Sequence, residues 1–310
     1  MKTNKQVANA ILMVRPNNFQ YNEENAETNE FQNAPANQVL RSRLHDIAMV
    51  EFDIAIENIE QCKIQVVVEN ENPESKSPDA IFPNNFVVFH HDGNVYIQKM
   101  YSSNRRNELS QSQINEIAGS CNYKLESITD LSDLAKENQF LEGTGSIIFN
   151  HSKNQAYAAL SPRTDSELLK SFCNKIGYTP ILFDTKLKSG NQLYHTNVML
   201  SIGEKFAVIC DEVIASTKER KQVLDSLTNS GLKIIKIKYD QMLSFCANIL
   251  EVKNIEGNSY IIMSANAYQG YTPEQKILLS KEGELLPIPI NTIEKISGGS
   301  MRCMMAEIFR

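Results

Sequence analysis

What most restricts the fold of this chain is a pattern that returns along its whole length: a helix, a strand, a polar corner and a pair of strands, at intervals of roughly fifty to sixty residues. The first pass opens on the apolar run Ala10-Ile11-Leu12-Met13-Val14, which reads as a buried strand stopped by Pro16. Residues 19–40, rich in Asn, Gln and Glu, read as a long surface loop. Ile47, Val50, Ile54, Ile56 and Ile59 then recur at mostly helical spacing, which predicts a helix over 38–60 and, after it, a strand at 64–68. The corner Asp79-Ala80-Ile81-Phe82-Pro83-Asn84-Asn85 leads into strands at 86–90 and 95–98 joined by the turn His91-Asp92-Gly93-Asn94. A second pass gives a helix at 108–118, extended chain at 124–129, the corner Phe140 to Gly145 and strands at 146–150 and 156–160. In the third come a helix at 165–176, a strand at 179–183, the corner Leu193 to Asn197 and strands at 198–202 and 206–209. The fourth has a helix near 218–230 and strands near 234–237, 249–252 and 259–263; the fifth runs through a helix at 273–282 to Cys303. Repetition at that period implies an α/β fold of stacked or radial modules, in a single domain over 1–310, rather than two unrelated domains.

Composition narrows the function classes. Thirty-one Lys and Arg against 37 Asp and Glu give a net charge of −6 without blocks of like charge, so nucleic acid is not an expected partner. The six cysteines, Cys62, Cys121, Cys173, Cys210, Cys246 and Cys303, show no CxxC pair and read as reduced thiols of a cytosolic chain. The apolar run at 8–14 is too short for a membrane span and no cleavage signal follows it. No HxxxH pattern or carboxylate cluster calls for a metal, and Gly143-Thr144-Gly145 lacks the spacing of a phosphate loop, so neither metal nor cofactor is expected. His90 and His91 at a hairpin end read as solvated.

Reactive side chains fall at the corners. Asp79, Glu142 and His195 each precede a strand pair, and Cys303 follows Ser297-Gly298-Gly299 where an apolar run with strand character begins. Each has a bland reading: a turn cap for Asp79, a solvated corner for Glu142, one of five histidines for His195, a small buried hydrophobe for Cys303. A closed ring of modules would turn all four toward one axis. There Arg302 and a nearby imidazolium would favour the thiolate, the form of cysteine that attacks.

Arg15-Pro16, Asp79 to Asn85, Glu142-Gly143-Thr144-Gly145-Ser146, Ser161-Pro162-Arg163-Thr164, Tyr194-His195-Thr196-Asn197-Val198 and Ser297-Gly298-Gly299 through Arg302-Cys303-Met304 resemble the amidinotransferase superfamily of guanidino-group modifying enzymes. That superfamily includes arginine deiminase and dimethylarginine dimethylaminohydrolase; among its branches the motifs look most like bacterial citrulline-utilisation hydrolases. The resemblance covers essentially the whole chain in the right order. It implies a five-bladed α/β propeller, or pentein, of pseudo-fivefold ββαβ-type modules. It also implies a hydrolase of carbon–nitrogen bonds other than peptide bonds, without cofactor, on a small amino-acid substrate, and is compatible with a homodimer. By the same resemblance Cys303 is the nucleophile, His195 the general acid and base, and Glu142 the carboxylate that orients it. Asp79, Asn85, Asn197, Arg163 and, by looser spacing, Arg105 or Arg106 bind substrate.

One departure bears on the substrate. Deiminases carry an aspartate two residues after the histidine, where this chain has Asn197. An amide offers donors without charge and suits a neutral ureido oxygen, which points to citrulline, giving ornithine, carbon dioxide and ammonia. Arginine or dimethylarginine hydrolysis, an amidinotransferase using an amine acceptor, and a non-enzymatic propeller that only binds a partner all remain open, because fold does not fix function.

Overall fold

The computed structural model describes residues 4–310. Each module has an inner strand, a second strand antiparallel to it, a helix, and a third strand parallel to the second. The first four modules comprise β3 (Val87–Phe89), β4 (Asn94–Ile97) and β5 (Ser127–Asp130); β6 (Ile148–Asn150), β7 (Gln155–Ala159) and β8 (Thr179–Phe183); β9 (Leu200–Ile202), β10 (Phe206–Ile209) and β11 (Lys233–Lys236); and β12 (Leu250–Lys253), β13 (Ser259–Ser264) and β14 (Glu284–Ile288). The fifth is shared by the two ends of the chain. β15 (Ala306–Ile308) pairs antiparallel with β1 (Ala10–Arg15), in the register Leu12 to Ala306, and β1 pairs parallel with β2 (Gln65–Asn70). Carboxy-terminal residues thereby complete a blade begun at the amino terminus, giving the five separate three-stranded blades expected of a pentein.

The blades form where the sequence period places them because each helix carries one apolar stripe. Gln38–Gln61 starts at Asn37, whose side chain accepts from Leu40 N, and buries Leu44, Ala48, Phe52, Ala55, Ile56 and Ile59. Ser166–Ile176 is capped by Asp165, ends at left-handed Gly177, and buries Leu168, Leu169, Phe172 and Cys173. Burial of each such Leu or Phe contributes about 1.5–3 kcal/mol. Outer faces remain polar, and no helix among the described residues is long and apolar enough to cross a membrane.

Four of the five inner strands are entered through a short helical turn: Pro83–Phe86, Gly143–Ser146, Thr196–Val198 and Met301–Met304. Such turns were not expected from the apolar runs, and Cys303 therefore lies in a turn before β15 rather than in the strand. Hydrogen bonds link successive corners: Thr144 Oγ1 to Asn84 O (3.4 Å), Thr196 Oγ1 to Ser146 O (2.5 Å) and Asn248 Nδ2 to Asn197 O (3.1 Å). These links hold the corners in a ring at one end of the axis.

Three further expectations need correction. Glu284–Ile288 and the helix Asn291–Ser297 were not anticipated, since Pro287 and Pro289 interrupt the apolar pattern there. Residues 19–40 do not form a surface loop: a helical turn at Glu23–Ala26 tucks Phe19, Asn22, Asn25, Asn29 and Phe31 inward, and the buried asparagines are satisfied by partners distant in sequence. His90 is buried and His91 half-buried rather than solvated, because the ends of β3, β6 and β15 bring their rings against His151 and Phe309.

Candidate active site

Of the nine side chains singled out from the sequence, Asp79, Asn85, Arg105, Arg163, His195 and Cys303 line one small cavity at the corner end of the axis, whereas Arg106 turns away to Met100 O (3.2 Å) and Tyr101 O (3.1 Å). Glu142 and Asn197 stand directly behind it, bonded to His195 and Cys303. The cavity holds about 10 Å³, room for about one water molecule. A larger hollow of about 710 Å³ opens between Phe31, Phe245 and Glu294, yet it contains none of these groups, so the small cavity is the chemically relevant one.

Glu142 sits at the start of the second module's corner, where its Oε1 accepts from Tyr101 N (2.9 Å) and its Oε2 meets His195 Nε2 (2.7 Å). Burial alone would push this carboxyl up; Arg163, 3.6 Å away, and the bond to His195 outweigh it and bring the group down to about 2. Burial also holds His195 below the ordinary imidazole value, opposed by the Glu142 carboxylate. The pair is thus an anionic carboxylate fixing a neutral imidazole. Gly145 makes the approach feasible, since a Cβ there would stand 2.8 Å from the His195 ring and 2.4 Å from Asn85 Nδ2.

Asp79 is wholly buried, and burial raises its carboxyl against the pull of Arg105, Asn22 and Arg163. Its Oδ2 accepts from Asn22 Nδ2 (2.7 Å) and from Asn25 Nδ2, while Oδ1 has no protein partner. Arg105 is turned to Glu108 (2.7 Å) and to Asn85 Oδ1 (3.0 Å), which fixes the Asn85 amide and leaves its Nδ2 without a partner. An unpartnered acceptor and an unpartnered donor thus occur among the groups lining one cavity. Arg163 Nε and Nη2 reach Thr28 Oγ1 (3.0 and 2.6 Å) and Nη2 also reaches Asn25 O (3.0 Å), so the segment Asn22–Phe31 covers the cavity and engages both Asp79 and Arg163. Asn29 Nδ2 to Ser297 O (3.2 Å) fastens it to the loop of Gly298, where φ is 65° and a Cβ would stand 2.7 Å from Gln32 N.

Around Cys303 the surroundings differ from those expected. Arg302 does not aim its charge at the thiol: Nη1 goes to Met305 O (2.9 Å) and Nη2 to Glu307 Oε2 (2.7 Å). Two amides approach the sulfur instead, Asn197 Nδ2 and Asn248 Nδ2, each at 3.3 Å. Asn197 thus directs its N–H to the sulfur, leaving Oδ1 without a partner. Asn248, at the fourth module's corner, was missed in the sequence because Phe245-Cys246-Ala247-Asn248 carries no charge and reads as the lead-in to a strand. Its place in the repeat, just before β12 as Asn197 is before β9, was the available signal. Chemically, the cavity brings together a thiol, an imidazole fixed by a carboxylate, and hydrogen-bonding groups suited to a planar polar substrate. Among the described residues no group of three or more side chains converges as metal ligands.

A family profile described as N,N dimethylarginine dimethylhydrolase, eukaryotic, matches residues 15–310. No curated protein sequence matches. The fold is similar to that of the N-terminal domain of ArgZ, an arginine dihydrolase from the ornithine–ammonia cycle in cyanobacteria, in a cysteine variant bound to substrate. That comparison gives a TM-score of 0.72 at 14% identity, over 97% of this chain and 98% of that one. AgrE in its ternary complex with ornithine and NAD+ gives 0.72 at 14% identity, over 97% of this chain but 39% of that one. A dimethylarginine dimethylaminohydrolase variant, as its adduct with S-methyl-L-thiocitrulline, gives 0.64 at 13% identity over 97% of this chain and 100% of that one. At such identity these likenesses concern the fold.

Proposed function

The chain belongs to the N,N-dimethylarginine dimethylhydrolase family, hydrolases of carbon–nitrogen bonds, and on that premise we propose that it cleaves citrulline to ornithine, carbon dioxide and ammonia through a covalent Cys303 intermediate. The observation that carries this reading is the unpartnered pair at the cavity, the Asp79 Oδ1 acceptor and the Asn85 Nδ2 donor. A ureido group offers an N–H to the first and its carbonyl oxygen to the second, whereas a guanidinium has only donors and would leave the Asn85 N–H unmatched.

In the proposed sequence the Cys303 sulfur attacks the ureido carbon and forms a C–S bond. His195 takes the thiol proton as the sulfur attacks and passes it to the terminal nitrogen, which leaves as ammonia and gives a thiocarbamate on the enzyme. His195 then takes a proton from water as the water attacks the same carbon; the thiolate departs, and the resulting carbamate loses carbon dioxide to give ornithine. Glu142 holds the imidazole in place and offsets the charge it gains in each step. Arg163 receives the substrate α-carboxylate once Asn25 and Thr28 withdraw.

The test is ornithine and ammonia release by the purified protein offered citrulline, arginine and dimethylarginine separately, with Cys303→Ala as the blank. Ornithine from citrulline, absent in the blank, is the expected result. Citrulline formed from dimethylarginine or arginine would replace the ureido reading with a guanidino one.

A further inference from the structure

Asn248 lies 3.3 Å from the Cys303 sulfur through Nδ2, and the same nitrogen donates to Asn197 O at 3.1 Å. Its Oδ1 accepts Arg302 N–H at 3.0 Å and lies farther from the sulfur, at 3.7 Å. These two backbone partners settle which end of the amide is which. A flipped amide would set its oxygen against the Asn197 carbonyl and its nitrogen against the Arg302 N–H, losing both bonds inside a fully buried site. One N–H of Asn248 serves the Asn197 carbonyl, and the other is aimed at sulfur. Asn197 lacks that constraint, because its Oδ1 has no partner.

We infer that Asn248 is a positioning residue for Cys303, holding the sulfur toward the cavity and stabilising the negative charge it carries as it attacks. The inference rests on the hydrolase reading above, and it gives the amide the part that Arg302, committed to Glu307, does not play. Hydrogen bonds that favour the charged form of a group are one of the ways a protein makes that form available. Among the described residues no side-chain amide donates to the sulfur of the other five cysteines, and the backbone N–H groups near Cys121 and Cys210 do not outweigh burial. Burial pushes Cys173, Cys210 and Cys246 up to about 12 and raises Cys62 and Cys121, so a small alkylating reagent should discriminate among the six.

Two variants test the inference. Asn248→Asp keeps the shape and the acceptor for Arg302 N–H, removes both donors and places a negative charge beside the sulfur; Asn248→Ala removes the donors without adding charge. The measurement is the pH midpoint of iodoacetamide alkylation at Cys303, followed by mass spectrometry of its peptide, with folding checked by circular dichroism. Asn248→Asp should raise the midpoint by a unit or more, which slows alkylation at pH 7 about tenfold, and Asn248→Ala should raise it less. A residue that only supported the fold would leave the Asn248→Ala midpoint in place, since that variant removes the donors without adding charge. Should the Asp variant fail to fold, the Ala variant decides alone. Unshifted midpoints overturn the inference even if citrulline is hydrolysed. Since alkylation needs no substrate, a shift without citrulline turnover supports it while sinking the substrate reading.

Discussion

The two ends of the propeller axis are built from the same five inner strands and have opposite characters. Where the strands begin, the corners gather Asp79, Asn85, Glu142, His195, Asn197, Asn248 and Cys303. Several polar atoms there are buried without a partner: Asp79 Oδ1, Asn85 Nδ2 and Asn197 Oδ1. Where the strands end, His90, His91, His151, Phe149, Tyr178 and Phe309 fill the axis with rings, His91 lying 3.9 Å from Phe309 and 4.8 Å from His151 by ring centroid. Leaving a polar group unpaired in a protein interior costs about 1–3 kcal/mol; the ring-filled end also leaves His90 Nε2 and His91 Nε2 unpaired, but only at the corner end do such atoms lie beside a thiol and a cavity. The ring-filled end secures the chain termini instead: Gln6 joins Phe149 O (3.0 Å) to His151 N (2.8 Å). One end is prepared for a ligand, the other for closure.

Breaking the corner end should have the largest effect. Glu142→Gln keeps the acceptor for Tyr101 N–H but removes the charge that steadies His195, and kcat for citrulline should fall about 10²- to 10⁴-fold with far-UV circular dichroism unchanged. His151→Gln, at the opposite end of the same inner strands, should leave kcat within about twofold; a comparable loss in both variants would erase the distinction between the ends.

The ring-filled end should register in stability against pH. Burial first, then His90, holds His91 down to about 4, while the Lys5 carbonyl and Asp92 oppose this; burial, His91, His90 and Arg302 depress His151 further. An unfolded histidine titrates near 6.5, so between about pH 6.5 and 4 the unfolded chain takes up protons that the folded one refuses. Stability is therefore fully present above about pH 6.5 and is lost as pH falls through that window. His91→Gln should lessen the fall in Tm between pH 7 and 4.5 by several degrees, measured by calorimetry. Equal slopes for the variant and the parent protein would remove the histidines from the account.

How far the sequence foretold these two ends follows from what each depends on. Helix stripes such as Leu44, Ala48 and Phe52 and the polar corners repeat locally, so the module count, most strand positions and the corner placement of Asp79, Glu142, His195 and Cys303 could be read directly, while Asn85, Asn197 and Arg163 came only with the family resemblance. Asn248 could not, because an amide in an apolar stretch shows its role only once Asn197, Arg302 and Cys303 stand around it. Nor could the histidine cluster, whose members are up to sixty-one residues apart and meet only when the blades close. The segment from Asn22 to Phe31 misled for a related reason. Its polarity is that of a surface loop, but its asparagines are spent on Asp79, Arg163 and Ser297 rather than on water.

That segment gives the smallest of the expected effects and the one that bears most directly on how the corner end is reached. A cavity with room for about one water does not hold an amino acid, so the proposed function requires Asn25 to release Asp79 and Arg163 before substrate binds. Asn25 is held by its side chain to Asp79 and to Ser102 Oγ (2.5 Å), and by its carbonyl to Arg163 (3.0 Å). Hydrogen bonds to charged groups contribute about 1.5–3 kcal/mol each, so losing the bond to Asp79 should raise the open fraction about tenfold or more. Asn25→Ala should accordingly speed alkylation of Cys303 at a fixed pH about tenfold without moving its pH midpoint, because exposure changes while the donors to the sulfur do not. If the midpoint moved as well, the covering segment and the amides around Cys303 would act as one unit, and the line between access and reactivity at this end of the axis would have to be drawn elsewhere.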